Sequence, residues 1–439
     1  MLWKSLYFET VADPFSFVSL PHLAIQPTTR TNKNTSTLDL VHPNTERNRY
    51  DLSTMTWISS STITLGRGST TLRPIHLRSS TKLLHRCLTS SSSSRSSSST
   101  TTPDKSHLIT TYPSSAFPSG YLVSSTHSGI KSKSPSAPDL GVLISTSPNP
   151  CIAAATFTRN VFKAAPVQVS NEVIKKRGGK VKGFVVSSGC ANAVTGQRGL
   201  EDAWKMSRTV DDHASRVGAS EGDEGTLVMS TGVIGQHLPI DKITSSIPHL
   251  LSSLSSTPEA WLGLAKSFMT TDTFPKLRTR SFKINDQLVK LVGIDKGAGM
   301  IHPNMGPPHG TLLGVIATDA RVERGSLQRA LGWAVDRSFN SITVDGDMST
   351  NDTVLCLANG AAGTGEGEGE GSSGEAGMRE ISEEGTPEEY EVFKRELTGF
   401  AEELAQLVVR DGEGATKFVT IRVEVSWSLG LWDLRGAGG

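Results

Sequence analysis

A threonine stands where a glycine-rich loop meets an apolar run. Lys296-Gly297-Ala298-Gly299-Met300-Ile301 is followed, past Gly306-Pro307-Pro308-His309, by Gly310-Thr311-Leu312-Leu313-Gly314-Val315-Ile316. This is the layout of a self-cleaving precursor in which scission of the 310–311 bond turns Thr311 into a new N-terminus. An N-terminal threonine carries its own general base, because a free α-amine with an unperturbed pKa near ~8 can take the hydroxyl proton. A threonine without that amine is a poor nucleophile. The same Gly-Thr pair also reads as an ordinary strand start, and the choice rests on its neighbours.

Several glycine- and threonine-rich turns follow strand-like runs: VVSSGCANAVTGQRG at Val185–Gly199, MSTGVIGQHLP at Met229–Pro239, MTTDTFPK at Met269–Lys276, FNSITVDGDMSTNDT at Phe339–Thr353 and VVRDGEGATK at Val408–Lys417. Such turns let backbone amides and short hydroxyls approach a small ligand closely. Small donors around a cavity are what acyl transfer needs to hold a tetrahedral oxyanion. Taken singly, each is also an ordinary tight turn.

Together and in this order, these motifs resemble the ornithine acetyltransferase family, self-cleaving glutamate N-acetyltransferases of arginine biosynthesis. The resemblance runs from Phe117 to Ile421 and includes PSGYLVSSTHSGIK and TRNVFKAAPVQVS. It implies an α-β-β-α layered sandwich shared between two chains, with Thr311 as nucleophile and Thr231 and Gly232 as an oxyanion hole made of a hydroxyl and a backbone N–H. It further implies substrate contacts from Thr271, Lys296, Thr311 and Glu413, and cleavage between Gly310 and Thr311. Lys296 suits a substrate carboxylate, and Glu413 suits the amine of ornithine. Without the family, Lys296 and Glu413 read as solvated surface charges and Thr271 as a cross-strand hydroxyl.

The implied reaction moves acetyl from N-acetylornithine to glutamate through a threonine ester, with no metal or organic cofactor. Acetyl-CoA enters as a donor in some members. The implied assembly is a heterotetramer of two α and two β chains. Two alternatives stay open: an amidohydrolase or aminopeptidase on the same scaffold, and a truncated, unprocessed, inactive member. Three departures bear on them. Gly310 replaces the family's usual alanine, the Gly306–Gly310 junction is longer than the family form, and VEVSWSLGLWDLRGAGG after Arg422 matches none of the family's C-terminal region.

The elements expected to position these residues are short and mixed. Strands are expected at Leu140–Ser145, Ala153–Thr158, Val181–Ser187, Ser267–Asp272, Leu288–Gly293, Leu312–Ala317 and Val354–Ala358, with helices after Thr195 and over Ile240–Leu254. A further helix is well specified: Thr386 and Glu389 form a capping box around Pro387, and Phe393, Leu397, Phe400, Leu404 and Leu407 repeat at helical spacing. Strands alternating with helices predict α/β layers.

Residues 1–54 carry no usable pattern. From Met55 through 105 the chain holds six arginines and lysines before Pro103, many Ser and Thr, and no acid until Asp104. That composition predicts a mitochondrial transit peptide and Ser-rich linker, and hence the matrix. Residues 106–310 then form the N-terminal α chain and 311–424 the β chain. A flexible loop is expected at 363–377, and a divergent tail at 425–439. Net charge is +1 from 44 basic and 43 acidic residues, so no global field favours nucleic acid or an anionic membrane. No run approaches the ~20 apolar residues of a membrane helix, which predicts a soluble protein. Walker loops and zinc-ligand spacings are absent from the sequence, and the four scattered cysteines read as reduced and structural.

Overall fold

The computed structural model describes residues 3–10, 37–41, 47–51, 103–131, 136–214, 224–306, 312–363 and 378–423. The expected transit segment up to Thr102, the loop over 364–377 and the tail from 424 fall outside the described residues. Two units emerge. Residues 12–100 form one, in which strands β2 (Thr37–Val41) and β3 (Arg47–Asp51) pair antiparallel. The other unit holds residues 1–11 and 101–439. Its first strand, β1 (Trp3–Thr10), joins the short β13 (Ile342–Thr343) and pairs in parallel with β15 (Ala415–Val423).

Two larger sheets make the body. The four-stranded sheet runs β4 (Tyr121–Thr126), β5 (Leu140–Ser145), β7 (Val181–Cys190), β8 (Gly225–Val233). The six-stranded sheet runs β11 (Met305–Gly306), β6 (Ile152–Thr158), β14 (Thr353–Ala358), β12 (Leu313–Thr318), β10 (Gln287–Lys296), β9 (Lys276–Ile284). The central strands are apolar on both faces, as buried sheets require. Ile316, Val354, Cys356 and Leu291 pack under α5 (Arg324–Arg337) and α6 (Pro387–Arg410), while Val315, Ala317, Leu355 and Leu357 join the core of the four-stranded sheet. Tyr121 crosses between the sheets, sharing its hydroxyl proton with the carbonyls of Thr318 (3.0 Å) and Leu357 (3.2 Å).

On the opposite face of the four-stranded sheet lies α2 (Gly196–Ala214), tied by Ser207 Oγ to the Thr226 carbonyl and packed against α3 (Ile240–Ser252). This unit is therefore helix, sheet, sheet, helix in section, as the α/β layered expectation had it. Helix α1 (Ala165–Lys176) packs along β8, where Ser170 Oγ accepts the N–H of Val228 and donates to its carbonyl. Helix α4 (Pro258–Phe268) breaks the simple layering. It lies on the inner face, where the missing side chain of Gly141 leaves room for Leu264 and Ser267.

Two expectations are corrected. No strand spans Ser267–Asp272: α4, capped by Thr257 Oγ1 on the Ala260 N–H, ends at Phe268, and a loop carries Thr271. The capping box at Thr386 does not form either. Thr386 Oγ1 is occupied by Ser382, accepting its N–H at 2.8 Å and donating to its carbonyl at 3.2 Å, while the Glu389 carboxylate takes the Asn285 amide. The apolar face of α6 is as expected, with Phe393, Leu397, Phe400, Leu404 and Leu407 all buried. No described helix is long and apolar enough to cross a membrane.

Candidate functional site

Strands β7 and β8 are parallel neighbours, so their C-terminal tips lie side by side; β10 ends at the same end of the sandwich where β12 and β14 begin. A cleft of about 1210 Å³ opens there. Its walls include Thr231, Gly232, Thr271, Lys296, Leu312 and Glu413. Every sequence-chosen site residue that the structure describes thus lines one cavity, though they come from distant parts of the chain. Gly310 and Thr311 lie outside the described residues; Leu312, the next residue, is buried and lines the cleft.

At the centre, Lys296 Nζ donates to Thr231 Oγ1 at 3.1 Å, both residues buried. An ammonium on that oxygen leaves the hydroxyl proton free to point elsewhere and makes it a stronger donor. Gly232 adopts φ +130°, and a Cβ there would stand 2.3 Å from the backbone carbon of Gly189. Only glycine lets β8 pass β7 so closely at this point. Burial pushes Lys296 below the usual lysine range, against the pull of the Asp272 carboxylate.

The loop carrying Thr271 and the loop carrying Glu413 are bolted to one another. Lys276, wholly buried, bonds Asp272 Oδ1 at 2.6 Å and Asp411 Oδ2 at 2.7 Å. Asp272 also accepts the N–H of Gly297 (2.8 Å) and Thr270 (2.9 Å), and Asp411 accepts the Thr273 N–H and hydroxyl and the Lys105 ammonium. Burial alone would raise the Asp272 carboxyl, but Lys276 and Lys296 hold it well below the ordinary carboxylate range. For Lys276 burial pulls the other way from Asp272 and Asp411, and the two carboxylates win, raising it. Asp295 is the reverse case. Both its oxygens are buried without a hydrogen-bond partner among the described residues, and burial drives its pKa far up.

Glu413 extends over Gly299, where any Cβ would lie 2.6 Å from its Oε1, so the second glycine of KGAGM makes space for that carboxylate. The STNDT turn, noted in the sequence but given no role, ties the sheets together at the cleft. Asn351 Nδ2 donates to the carbonyls of Ala191 (2.6 Å) and Ser230 (2.7 Å), and the Thr353 N–H to the Leu312 carbonyl (2.6 Å). Asp352 beside it lines the cleft with Oδ2 unpartnered among the described residues; burial raises its pKa well above the carboxylate range, with the Thr158 and Ser349 hydroxyls opposing.

Sequence reasoning also missed Asp272, Lys276 and Lys131, the last a second lysine lining the cleft. The i,i+4 pair in TTDTFPK was the available signal for the first two. Among the described residues no cluster of His, Cys, Asp and Glu could hold a metal ion. Cys151, Cys190 and Cys356 are free and buried, and burial pushes the thiols of Cys151 and Cys356 up to about 12.

The ArgJ family model matches residues 122–428. The mitochondrial arginine biosynthesis bifunctional protein ArgJ of Cryptococcus neoformans is 61% identical over 325 residues, covering 73% of this chain and 67% of that protein. Its namesake in Laccaria bicolor is 57% identical over 330 residues, with the same shares covered. The chain spans about two thirds of the length of these relatives. A solved ornithine acetyltransferase from Mycobacterium tuberculosis, complexed with ornithine, is 30% identical across 44% of this chain and 95% of that one, with a TM-score of 0.37.

Proposed function

The chain belongs to the ArgJ family, and on that premise we propose that it is the glutamate N-acetyltransferase of arginine biosynthesis, working through a threonine ester at Thr311. The observation that carries this reading is the Lys296–Thr231 hydrogen bond beside Gly232, in a cleft that also takes in Leu312. It supplies preorganised donors next to the residue that follows the nucleophile.

In the proposed sequence, cleavage of the Gly310–Thr311 bond frees the Thr311 amine. That amine takes the hydroxyl proton as the oxygen attacks the acetyl carbonyl of N-acetylornithine. The oxyanion accepts from the Thr231 hydroxyl, which Lys296 polarises, and from the Gly232 N–H. The C–N bond breaks, ornithine departs with the proton, and acetyl remains on Thr311. The glutamate amine then attacks the ester, giving N-acetylglutamate and restoring the hydroxyl. Thr271 and Glu413, on loops held by Lys276, contact the amino-acid substrates, with Glu413 opposite the ornithine amine.

Acetyl-CoA as a second donor, its thioester cleaved in place of the amide, belongs to the same proposal, as does a heterotetramer of two α and two β chains. The compartment is the mitochondrion, as the fungal relatives are named, and we assign the matrix. The relatives favour neither the hydrolase nor the inactive reading.

The deciding experiment is the intact mass of the purified chain beside Thr311→Ala, followed by acetyl transfer from labelled N-acetylornithine to glutamate. Two fragments meeting at Gly310–Thr311 in the parent alone, together with labelled N-acetylglutamate, are expected. A single uncut species in both, without transfer, overturns the proposal; cleavage with free acetate as the product would convert it to the hydrolase reading.

A further inference from the structure

We propose that Lys131 is the specificity residue that receives the side-chain carboxylate of the glutamate acceptor. This rests on the transfer reading above and concerns a problem that reading creates. The two amino acids that enter the site carry opposite charges at their side-chain ends. Glu413 suits the ornithine ammonium but repels the second carboxylate of glutamate, so glutamate needs a cation that ornithine does not.

Among the described residues, Lys131 and Lys296 are the two cationic side chains lining the cleft. Lys296 is engaged with Thr231 at the reaction centre. Lys131 is available: its Nζ donates to the Pro138 carbonyl at 3.0 Å, and no carboxylate lies within ion-pair distance among the described residues. Desolvation by the cleft lowers its pKa, with Lys296 adding to that and Asp139 and Asp272 opposing, as expected of a cation short of a counter-charge.

Its position is built. The buried Asp139 carboxylate gathers the backbone N–H groups of Ser128 (2.6 Å), Gly129 (3.2 Å), Ile130 (2.8 Å) and Lys131 (3.0 Å), together with the Ser128 hydroxyl. That knot presses the Lys131 stem on Gly189, where an added Cβ would come within 3.2 Å of its Cγ. Gly189 in turn is the register partner of Gly232. A short packed path therefore links Lys131 to the oxyanion site, and the SGIK segment acquires a role the motif alone did not reveal.

The test measures Kd by calorimetry for glutamate, its uncharged isostere glutamine, and ornithine, on the parent, Lys131→Met and Lys131→Arg. The parent is expected to prefer glutamate over glutamine by about tenfold, a range typical of a paired, partly desolvated charge. Lys131→Met should abolish that preference while ornithine binds within twofold of the parent or tighter, and Lys131→Arg should restore it. Retained preference in Lys131→Met overturns the proposal, and so does equal weakening for all three ligands, which would make the loop merely structural. Passage of labelled acetyl from N-acetylornithine to glutamate by the parent, with ornithine released, tests the transfer reading separately.

Discussion

Thr231 and Gly232 differ in what each can lose. Thr231→Ala removes one of the proposed oxyanion donors and leaves the Lys296 ammonium without its acceptor, and a fall of about 10²–10³ in kcat with little change in KM is expected from steady-state kinetics. Gly232→Ala must move β8 away from Gly189, because the new Cβ would overlap backbone rather than a flexible side chain. Asp295 gives a pH-dependent prediction. Burial raises its pKa in the folded state, so folding takes up a proton, and stability falls as pH rises from about 4 through the raised value. Asp295→Asn carries no such charge. It should match the parent in Tm at low pH and exceed it progressively toward neutral pH, as followed by thermal denaturation.

Lys276 acts at the scale of elements, joining the start of β9 and the α4–β9 loop to the end of α6 through two buried carboxylates. Lys276→Met would leave Asp272 and Asp411 buried without their main partner, and a loss of about 3–5 kcal/mol is expected in denaturant unfolding. The same link predicts that substrate binding weakens before global unfolding, since the proposed substrate contacts Thr271 and Glu413 sit on the loops released. Asp272 has the opposite sign to Asp295: held low by Lys276 and Lys296, it contributes stability above about pH 4 that is lost as pH falls through its depressed value. Where α6 crosses β10, a Cβ on Gly293 would lie 2.4 Å from Leu404 Cδ1 and 2.8 Å from Phe400. Gly293→Ala should cost about 1–3 kcal/mol by overpacking, with the cleft chemistry intact.

Across the whole molecule, the proposed cut falls inside one sheet. Strands β6, β9, β10 and β11 precede residue 310, while β12 and β14 follow it and sit between β6 and β10. The products would share a ladder on both sides of β12–β14, and the apolar core runs through both. The cut protein should therefore elute as one particle from a sizing column in native buffer and separate into two chains only in denaturant. Separation in native buffer would show that the sheet does not survive cleavage.

Much was legible from residue patterns alone. Apolar runs marked β5, β6, β7, β10, β12 and β14 because strands buried on both faces must be apolar throughout, and the 3.6-residue repeat marked α6. The ordered Gly/Thr turns carried the family resemblance, and it was that resemblance that singled out Thr231, Gly232, Thr271, Lys296 and Glu413. The α4–β9 loop was misread as a strand because Met, Thr and Phe suit either state, and only the Thr257 cap and packing against Gly141 decide it. The Lys276–Asp411 arm of the clamp, the Asn351 tie and the approach of Lys131 to Gly189 were invisible. Each joins residues far apart in sequence, and charges and amides of this kind read as solvated surface until tertiary packing removes the water around them.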